Sequence, residues 1–440
     1  MNILPFQIES TNDLLTSRSG LVSVAEMMKT LSFSHLVDQH FPAPGSNRGF
    51  KPSVFVNSLV LMLNDGGDCL DDLRHLRGDA ALRLLLGLKN VPQADSAGDW
   101  LRRHGQQGVS AVAEINRTLL QAGLHQCRSV TLDIDATEIC SAKRDATYTY
   151  NKNQGYMPMI GHIAETGQVV ASDFRAGNVA PATDNMAFIN QCERALPHGV
   201  NLAYLRIDAA GYQTRIIEHC LNQGIGFAIR AKMSRNLRHV ITSRPEQDWQ
   251  PMIGRNGQPR KNEAVCQLIH TIGNLTIPFT VVVQRKALRQ AELSLEDAAD
   301  DTDQIIDGGY LYRAIATNRS DLSESDLVHW YNQRAEHSEN RIKELKLDFG
   351  ANRLPCGDFD ANALYFAIST LAYNLFALMR MLLPPSWESY RVTTIRWRLY
   401  ALAGKVVHHG RRVTLKLRQT GVSLLAEVLS KIRAVDFKLA

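Results

Sequence analysis

The feature that most constrains the fold is a change in hydrophobic period at Ser129. From Leu21 to about Leu120 apolar residues recur every three or four positions between short breaks, which is typical of helices. From Ser129 apolar and polar residues alternate, which predicts a β-strand. Residues 157–230 then read as hairpin strands, helix, strand, helix and strand. This order predicts a mixed α/β sheet whose crossover connections make part of it parallel.

The length of 440 residues indicates two or three folded units. A β-rich stretch interrupts the α/β order and a basic stretch ends the chain. The predicted parts are an all-helical N-terminal domain (1–125), which could bind DNA or serve as a scaffold, an α/β catalytic core (126–231 and 310–350), a β-rich insertion (232–309) and a helical basic C-terminal region (351–440).

Three aspartates lie on predicted strands of the core. Asp133 and Asp135 point to the same side of the first strand, and Asp208 ends a later strand just before a Gly-containing turn and a helix. A carboxylate inside a strand is costly to bury. Asp208 alone could be a helix N-cap, but functional groups of open α/β sheets collect at the carboxyl ends of strands.

The segment Leu327–Lys346 predicts one long amphipathic helix with Ser323 or Ser325 as its N-cap. Its apolar stripe consists of Leu327, Tyr331, Ala335, Ile342 and Leu345. Glu339 follows Ala335 by four positions, so we expect its carboxylate on or beside the face toward the core. The alternative is a boundary glutamate that pairs with Lys343.

Asp133 or Asp135, Asp208 and Glu339 together form an oxygen-only set of candidate ligands without nearby His or Cys. Such ligands suit magnesium or manganese rather than zinc. A carboxylate trio can hold two metal ions for in-line phosphoryl transfer. On this order of strands and helices, the set indicates a ribonuclease-H-like catalytic core.

The net charge of +5 is unevenly distributed. From Arg391 to the end there are eleven Lys or Arg and two acids, a net charge of +9. This basic tail predicts a polyanionic partner, and Arg411 and Arg412 are its candidate DNA contacts. No apolar run predicts a membrane span and the N-terminus shows no signal peptide, so we expect a cytoplasmic, nucleoid-associated protein without a membrane partner.

Three segments carry a family resemblance: LDIDAT at Leu132–Thr137, LRIDAAGY at Leu205–Tyr212 and YNQRAEHSENRIKELK at Tyr331–Lys346. With them the chain resembles the bacterial insertion-sequence DDE transposases, specifically the IS-thirteen-eighty type within the IS-four-like assemblage. The resemblance spans most of the chain, and these transposases also carry a β-rich insertion between the second Asp and the Glu.

The Tyr-Arg-Glu-Lys signature of these relatives matches Tyr331, Arg334, Glu339 and Lys346. The interval from Arg334 to Glu339 is one residue longer than in the wider pattern, which leaves Glu336 as a minor alternative.

The Asp-x-Thr pattern of the family favours Asp135 over Asp133 as the first catalytic acid. The resemblance then implies that Asp135, Asp208 and Glu339 hold two magnesium ions, for which manganese can substitute. Arg334 and Lys346 would contact phosphates near the cut, a role Lys343 could share, and Tyr331 would position the terminal DNA.

The implied reaction has no covalent enzyme intermediate. Activated water cuts double-stranded DNA at the terminal inverted repeats, and the freed 3′-hydroxyl attacks target DNA in a synaptic complex that is expected to hold a homodimer. Two alternatives are a structure-specific endonuclease that does not join strands, and a catalytically silent domesticated DNA-binding protein. The intact acids argue against the second.

Overall fold

The computed structural model describes residues 8–46, 49–288 and 303–435, without the side chains of Glu336 and His337. The chain forms two compact units. One consists of Met1–Leu119 together with Glu344–Ala440, and the other of Leu120–Lys343. The second unit contains all three candidate catalytic acids.

The described part of the chain before residue 125 contains one short strand and six helices. They are β1 (Leu14–Thr16), α1 (Val22–Thr30), α2 (Phe33–His40), α3 (Pro52–Asp65), α4 (Leu73–Gly78), α5 (Ala80–Leu86) and α6 (Ala94–Leu124). Helix α3 starts at Pro52, a favoured first-turn residue, and is followed by Gly66, whose φ of 102° is a left-handed conformation that glycine adopts without strain. Helix α6 is kinked at Gly105.

In its described residues the second unit alternates strands with four α-helices. Its elements are β2 (Ser129–Ala136), β3 (Ile139–Cys140), β4 (Thr147–Tyr148), β5 (Gln154–Tyr156), β6 (Met159–Ile163), β7 (Val169–Asp173), α7 (Asn185–Ala195), β8 (Asn201–Ile207), α8 (Thr214–Gln223), β9 (Gly226–Arg230), α9 (Arg235–Thr242), β10 (Gln250–Ile253), β11 (Pro259–His270), β12 (Phe279–Ala287), β13 (Gln304–Asp307), β14 (Tyr310–Thr317) and α10 (Glu324–Lys343).

Ten of these strands form one sheet in the order β10-β11-β12-β14-β9-β8-β2-β6-β7, with β13 paired to β14. The β2/β8 and β8/β9 pairs are parallel and the remaining pairs are antiparallel. One hydrophobic core covers this sheet, and α7 and α8 contribute to it Phe188, Ile189, Ile216 and Ile217. The predicted mixed α/β fold with a partly parallel sheet is confirmed.

The segment predicted to be β-rich, 232–309, begins with a helix. Ser234 caps α9 by accepting a hydrogen bond from the backbone N–H of Leu237 at 3.2 Å. The strands that follow do not form a sheet of their own. They extend the main sheet through the pairing of β12 with β14.

Between residues 344 and 435 the chain contains three α-helices and a hairpin: α11 (Phe359–Arg380), α12 (Val392–Ile395), β15 (Gly404–His409), β16 (Arg412–Lys416) and α13 (Gln419–Ala434). Strands β1, β15 and β16 form a three-stranded sheet. The expectations of an all-helical N-terminal domain and a helical C-terminal region were therefore wrong in this respect. The β15–β16 hairpin itself has a local cause, because β-branched Val406 and Val413 flank a turn at Gly410, whose φ is 58°.

Helix α11 is long and apolar enough to cross a membrane by length and composition alone. Its most apolar stretch is entirely buried inside the protein. Asp358 caps its N-terminus by accepting from the Ala361 N–H at 2.9 Å. Burial on all sides is typical of the central helix of a core.

Candidate active site

Two candidate acids lie at the carboxyl ends of neighbouring parallel strands. In the β2/β8 pair Asp133 is opposite Arg206 and Ile134 is opposite Ile207, so Asp135 comes level with Asp208, the residue that follows β8. Adjacent strands lie about 4.8 Å apart. The Asp135 carboxylate is close enough to that of Asp208 for their repulsion to affect its pKa. The sheet therefore places two carboxylates side by side.

Asp133 has a different role. Its two carboxylate oxygens accept hydrogen bonds from Nε and Nη2 of Arg206 at 2.7 and 2.8 Å, and both side chains are only 2% exposed. Nη1 of Arg206 also donates to the Trp330 carbonyl of α10 at 2.6 Å. Both oxygens of the Asp133 carboxylate are thus already engaged by a buried guanidinium. This geometry favours Asp135 over Asp133.

Arg334 of α10 reaches the pair of acids. Its Nη1 lies 3.3 Å from Oδ2 of Asp135 and 3.4 Å from the Ile134 carbonyl oxygen. Burial raises the pKa of Asp135 to about 6, while Arg334 opposes this shift and Asp208 adds to it. Although burial lowers the pKa of Arg334, the neighbouring Tyr331, Asp135 and Asp208 raise it above its usual value. Arg334 thus offsets the repulsion between two adjacent carboxylates.

Asp208 also caps the turn that follows its strand. Its Oδ1 accepts a hydrogen bond from the Ala210 N–H at 2.9 Å, which is the capping role that the sequence left open. The turn is tight, because a Cβ at Gly211 would lie 2.5 Å from the Ile207 side chain. The side chain is half-buried. The cap occupies one oxygen and holds the carboxylate at the strand end.

The predicted helix around Glu339 is present as α10, and the Ser323 hydroxyl accepts from the Asp326 N–H at its start. The side chain of Glu339 is exposed, so of the two expected positions, on or beside the face toward the core, only the one beside that face agrees with the structure. Arg334 and Ser338, four residues apart, occupy the face toward the sheet, with Ser338 only 1% exposed. One residue is about 100° of helix rotation, so Glu339 lies beside this face. The side chain of its alternative, Glu336, lies outside the described residues.

The other signature residues differ in accessibility. Tyr331 is 3% exposed and packs in a small cluster with Ala228 and Ile315. Its expected role in positioning the terminal DNA stays a prediction. Lys343 is exposed at the end of α10. Lys346 belongs to the other compact unit, in a π-helical turn from Glu344 to Asp348.

The donor set suits a hard divalent cation. Asp135 and Asp208 offer carboxylate oxygens, which magnesium and manganese prefer. Glu339 does not complete a compact trio with them. Among the residues whose side chains are described, the one group of three ligand-type side chains within 4.8 Å of one another is Asp68, Cys69 and Asp72.

The group of Asp68, Cys69 and Asp72 lies in the first unit and is already satisfied within the fold. Oδ2 of Asp72 accepts from the N–H groups of Asp68 and Cys69, and Asp68 pairs with Arg353 at 3.0 Å. These contacts are those of a helix cap. Asp135 and Asp208, on the two adjacent strands, are therefore the better candidates for binding a divalent cation.

The basic tail contains both structural and exposed cations. Arg396 is 9% exposed and donates to the carbonyl oxygens of Leu63 and Asn64 at 2.8 and 2.7 Å, so it closes the end of α3. In contrast, Arg411 and Arg412 are exposed at the turn of the β15–β16 hairpin. The charge available to a polyanion is therefore smaller than the sequence count implies.

Arg206 was missed by the reasoning from sequence. The signal was present, since Arg206 precedes Asp208 by two positions just as Asp133 precedes Asp135. If the two strands are parallel neighbours, this equal spacing places the opposite charges side by side.

Comparison with known proteins identifies a family for this chain. Residues 5–291 and 298–436 match the family described as Transposase DDE domain group 1. Among solved structures the chain is similar to the piggyBac transposase synaptic complex with hairpin DNA, determined by cryo-EM. The identity is 12%, the TM-score is 0.43, and the match covers 94% of this chain and 80% of that chain. No curated protein matches in sequence. The family match spans nearly the whole chain, and the protein belongs to the DDE transposases of the Transposase DDE domain group 1 family.

Proposed function

We propose that this transposase cleaves DNA at the ends of an insertion sequence of the IS-thirteen-eighty type and joins the freed 3′-hydroxyl to target DNA. The observation that carries the proposal is the position of Asp135 and Asp208 at the carboxyl ends of adjacent parallel strands. A half-buried pair of carboxylates with a guanidinium beside it suits phosphoryl transfer, in which charge must be stabilised at closely spaced oxygens.

In this proposal Asp135, Asp208 and Glu339 hold two divalent ions, with magnesium as the working metal and manganese as a substitute. Bound ions would stabilise negative charge on the scissile phosphate and increase the nucleophilicity of water or a 3′-hydroxyl. Arg334 orients the Asp135 carboxylate and lowers its proton affinity. Glu339 follows Arg334 by five residues on α10, about 7.5 Å along the helix axis.

We further propose a ribonuclease-H-like core formed by residues 126–231 and 310–350, with 232–309 as an insertion and with 1–125 and 351–440 as flanking DNA-binding regions. The support is the antiparallel order of β2, β6 and β7 beside the parallel β2, β8 and β9, with α10 packed on β2 through Arg334. Exposed Lys343, Arg411 and Arg412 supply phosphate contacts. The partner is double-stranded DNA, and a homodimer would hold two transposon ends.

Incubation of the purified protein with magnesium and DNA that carries the terminal repeats flanking its gene tests the proposal. Strand transfer supports a transposase. Cleavage without joining identifies an endonuclease, and a shifted but uncut complex identifies a silent DNA-binding protein.

The same assay is repeated with Asp208→Asn and Glu339→Gln, which should abolish cleavage and leave DNA binding intact. Asp321→Asn is the matched control, because Asp321 is an exposed acid in an ion pair with Arg319. Retained cutting by Asp208→Asn contradicts the assignment of the site.

A further inference from the structure

A small three-stranded sheet emerges from the end of β2 that carries Asp135. Its strands β3, β5 and β4 pair antiparallel, with Ile139 opposite Tyr156 and Tyr148 opposite Gln154. A Cβ at Gly155 would lie 2.1 Å from the Ile139 carbonyl oxygen, so the strands approach as closely as glycine alone permits. The small sheet is therefore a compact extension of the strand that carries the candidate acid.

The turn between β4 and β5 is held by one carboxylate. Glu138 accepts hydrogen bonds from the Thr149 hydroxyl and from the side-chain amides of Asn151 and Asn153, the last two at 3.1 and 3.3 Å. Within the turn the Lys152 N–H donates to the Thr149 carbonyl at 2.9 Å. One acidic side chain thus fixes three positions of the turn and ties them to the residue three positions after Asp135.

This fixed turn displays two aromatic rings. Tyr148 is 71% and Tyr150 is 64% exposed, and neither ring packs against another aromatic ring in the part of the chain that the structure describes. Fixing a turn that leaves two large rings in water brings no burial energy to the fold. A prearranged aromatic pair instead lowers the entropy cost of binding a partner.

The charges around the rings favour an anionic partner. Arg144 and Lys152 are exposed. The acids of the same segment turn inward, because Glu138 holds the turn and Asp145 accepts from the Tyr156 hydroxyl at 2.6 Å. Aromatic rings combined with surrounding cations are the features that bind single-stranded nucleic acid, through stacking on bases and attraction to phosphates.

We infer that Tyr148 and Tyr150 stack on unpaired bases of the DNA strand that is cut in the active site of Asp135 and Asp208. This inference rests on the proposed function. Glu138 follows Asp135 by three positions, a span of at most about 10 Å. This corresponds to about three nucleotides of duplex DNA. Thr149, which donates to the Glu138 carboxylate, lies between the two tyrosines in the chain. The rings are therefore attached close to Glu138, within reach of bases a few nucleotides from the scissile bond, where they would stabilise an opened end.

The test compares the full-length protein with Tyr148→Ala/Tyr150→Ala and with the matched Tyr148→Phe/Tyr150→Phe variant. The probes are a fluorescent duplex with a short internal bubble of unpaired thymines and the fully paired duplex of the same length. The quantity measured is the ratio of the two dissociation constants, in which phosphate contacts common to both probes cancel.

We expect the wild type and the Phe variant to prefer the bubble, and the Ala variant to lose about tenfold or more of that preference. Affinity for the paired duplex should change little in either variant. An unchanged preference in the Ala variant overturns the inference, as does an equal loss for both probes. A change in self-association alone would assign the rings to a protein interface and would also overturn it. Because binding is measured without cleavage, a negative result here is distinct from failure of the transposase proposal.

Discussion

Nη1 of Arg334 lies 3.3 Å from Oδ2 of Asp135, so the helix that carries the candidate glutamate already touches the strand that carries the first aspartate. The guanidinium is 10% exposed and the carboxylate 20% exposed. In this arrangement a fixed cation compensates two adjacent carboxylates. Because the pair is partly buried, the pKa of Asp135 is raised, and cleavage should depend on pH more strongly than it would with a solvent-exposed acid.

Protons should compete with metal ions at Asp135. Its pKa is raised to about 6 by burial, so below that pH the protonated carboxyl is a poor ligand, and cleavage should fall by about tenfold per pH unit. Arg334 lowers this pKa, and Arg334→Gln should therefore move the acid limb of the pH–rate profile to higher pH. Arg238→Gln, the same change at an exposed arginine on α9, is the control. An acid limb that stays in place in Arg334→Gln contradicts the role given to Arg334.

The Asp133–Arg206 pair should govern stability. Arg206→Met leaves a buried carboxylate without its partner and should lower the free energy of unfolding by about 3–5 kcal/mol. The double variant Asp133→Leu/Arg206→Met removes both charges and should recover most of this loss. Denaturant unfolding measures both values.

Lys431→Met provides the surface comparison for that pair, because it breaks an exposed ion pair with Glu427. It should change the free energy of unfolding by less than about 1 kcal/mol. If Arg206→Met is as mild as Lys431→Met, the ion pair is not buried as described.

His162 should make the protein sensitive to acid. It is 2% exposed, lies opposite Asp133 on β6, and burial lowers its pKa from 6.5 to about 3. Between these values the unfolded chain binds the proton and the folded chain does not, so stability rises with pH across this window. The slope from this group is at most about 1.4 kcal/mol per pH unit.

The His162→Phe variant should lose that part of the acid sensitivity, measured as the unfolding midpoint against pH. His198→Gln, at an exposed histidine, should keep the wild-type slope. Equal slopes in wild type and His162→Phe would show that this imidazole is protonated in the folded state.

Some cations of the basic tail should affect DNA binding, and others should affect the stability of the fold. Arg411→Ala/Arg412→Ala removes exposed charges and should weaken DNA binding, reduce the slope of log affinity against log salt by about 2, and leave the melting temperature unchanged. Arg396→Ala should instead lower the melting temperature, because it frees the Leu63 and Asn64 carbonyls of α3. An unchanged salt slope in the first variant removes the hairpin from the DNA interface.

Local patterns in the sequence predicted much of the second unit. The period of two at Ser129 corresponds to β2, and the apolar stripe of Leu327 to Leu345 corresponds to α10 and the π-helical turn after it. Both signals come from alternation between core and solvent, which a single sequence records directly. The parallel β2/β8 pairing followed from the intervening helix α7.

Features set by contacts between distant segments were not predictable. The β15–β16 hairpin pairs with β1, which is almost 400 residues earlier in the chain and only three residues long. The exposure of Glu339 depends on which neighbours on α10 face β2, and Ser338 rather than a larger apolar residue takes that position. A stripe read by spacing alone is accurate to about one residue, or about 100° of rotation.

The account depends on metal ligation by Asp135 and Asp208, and exchange of each carboxylate for a thiolate tests it most directly. Asp135→Cys and Asp208→Cys should each fail to cleave transposon-end DNA with magnesium, because thiolates are poor ligands for this hard cation, and should regain activity with the more thiophilic manganese. Alanine at either position should be inactive with both metals. Undiminished cleavage by either Cys variant in magnesium would contradict ligation at that position.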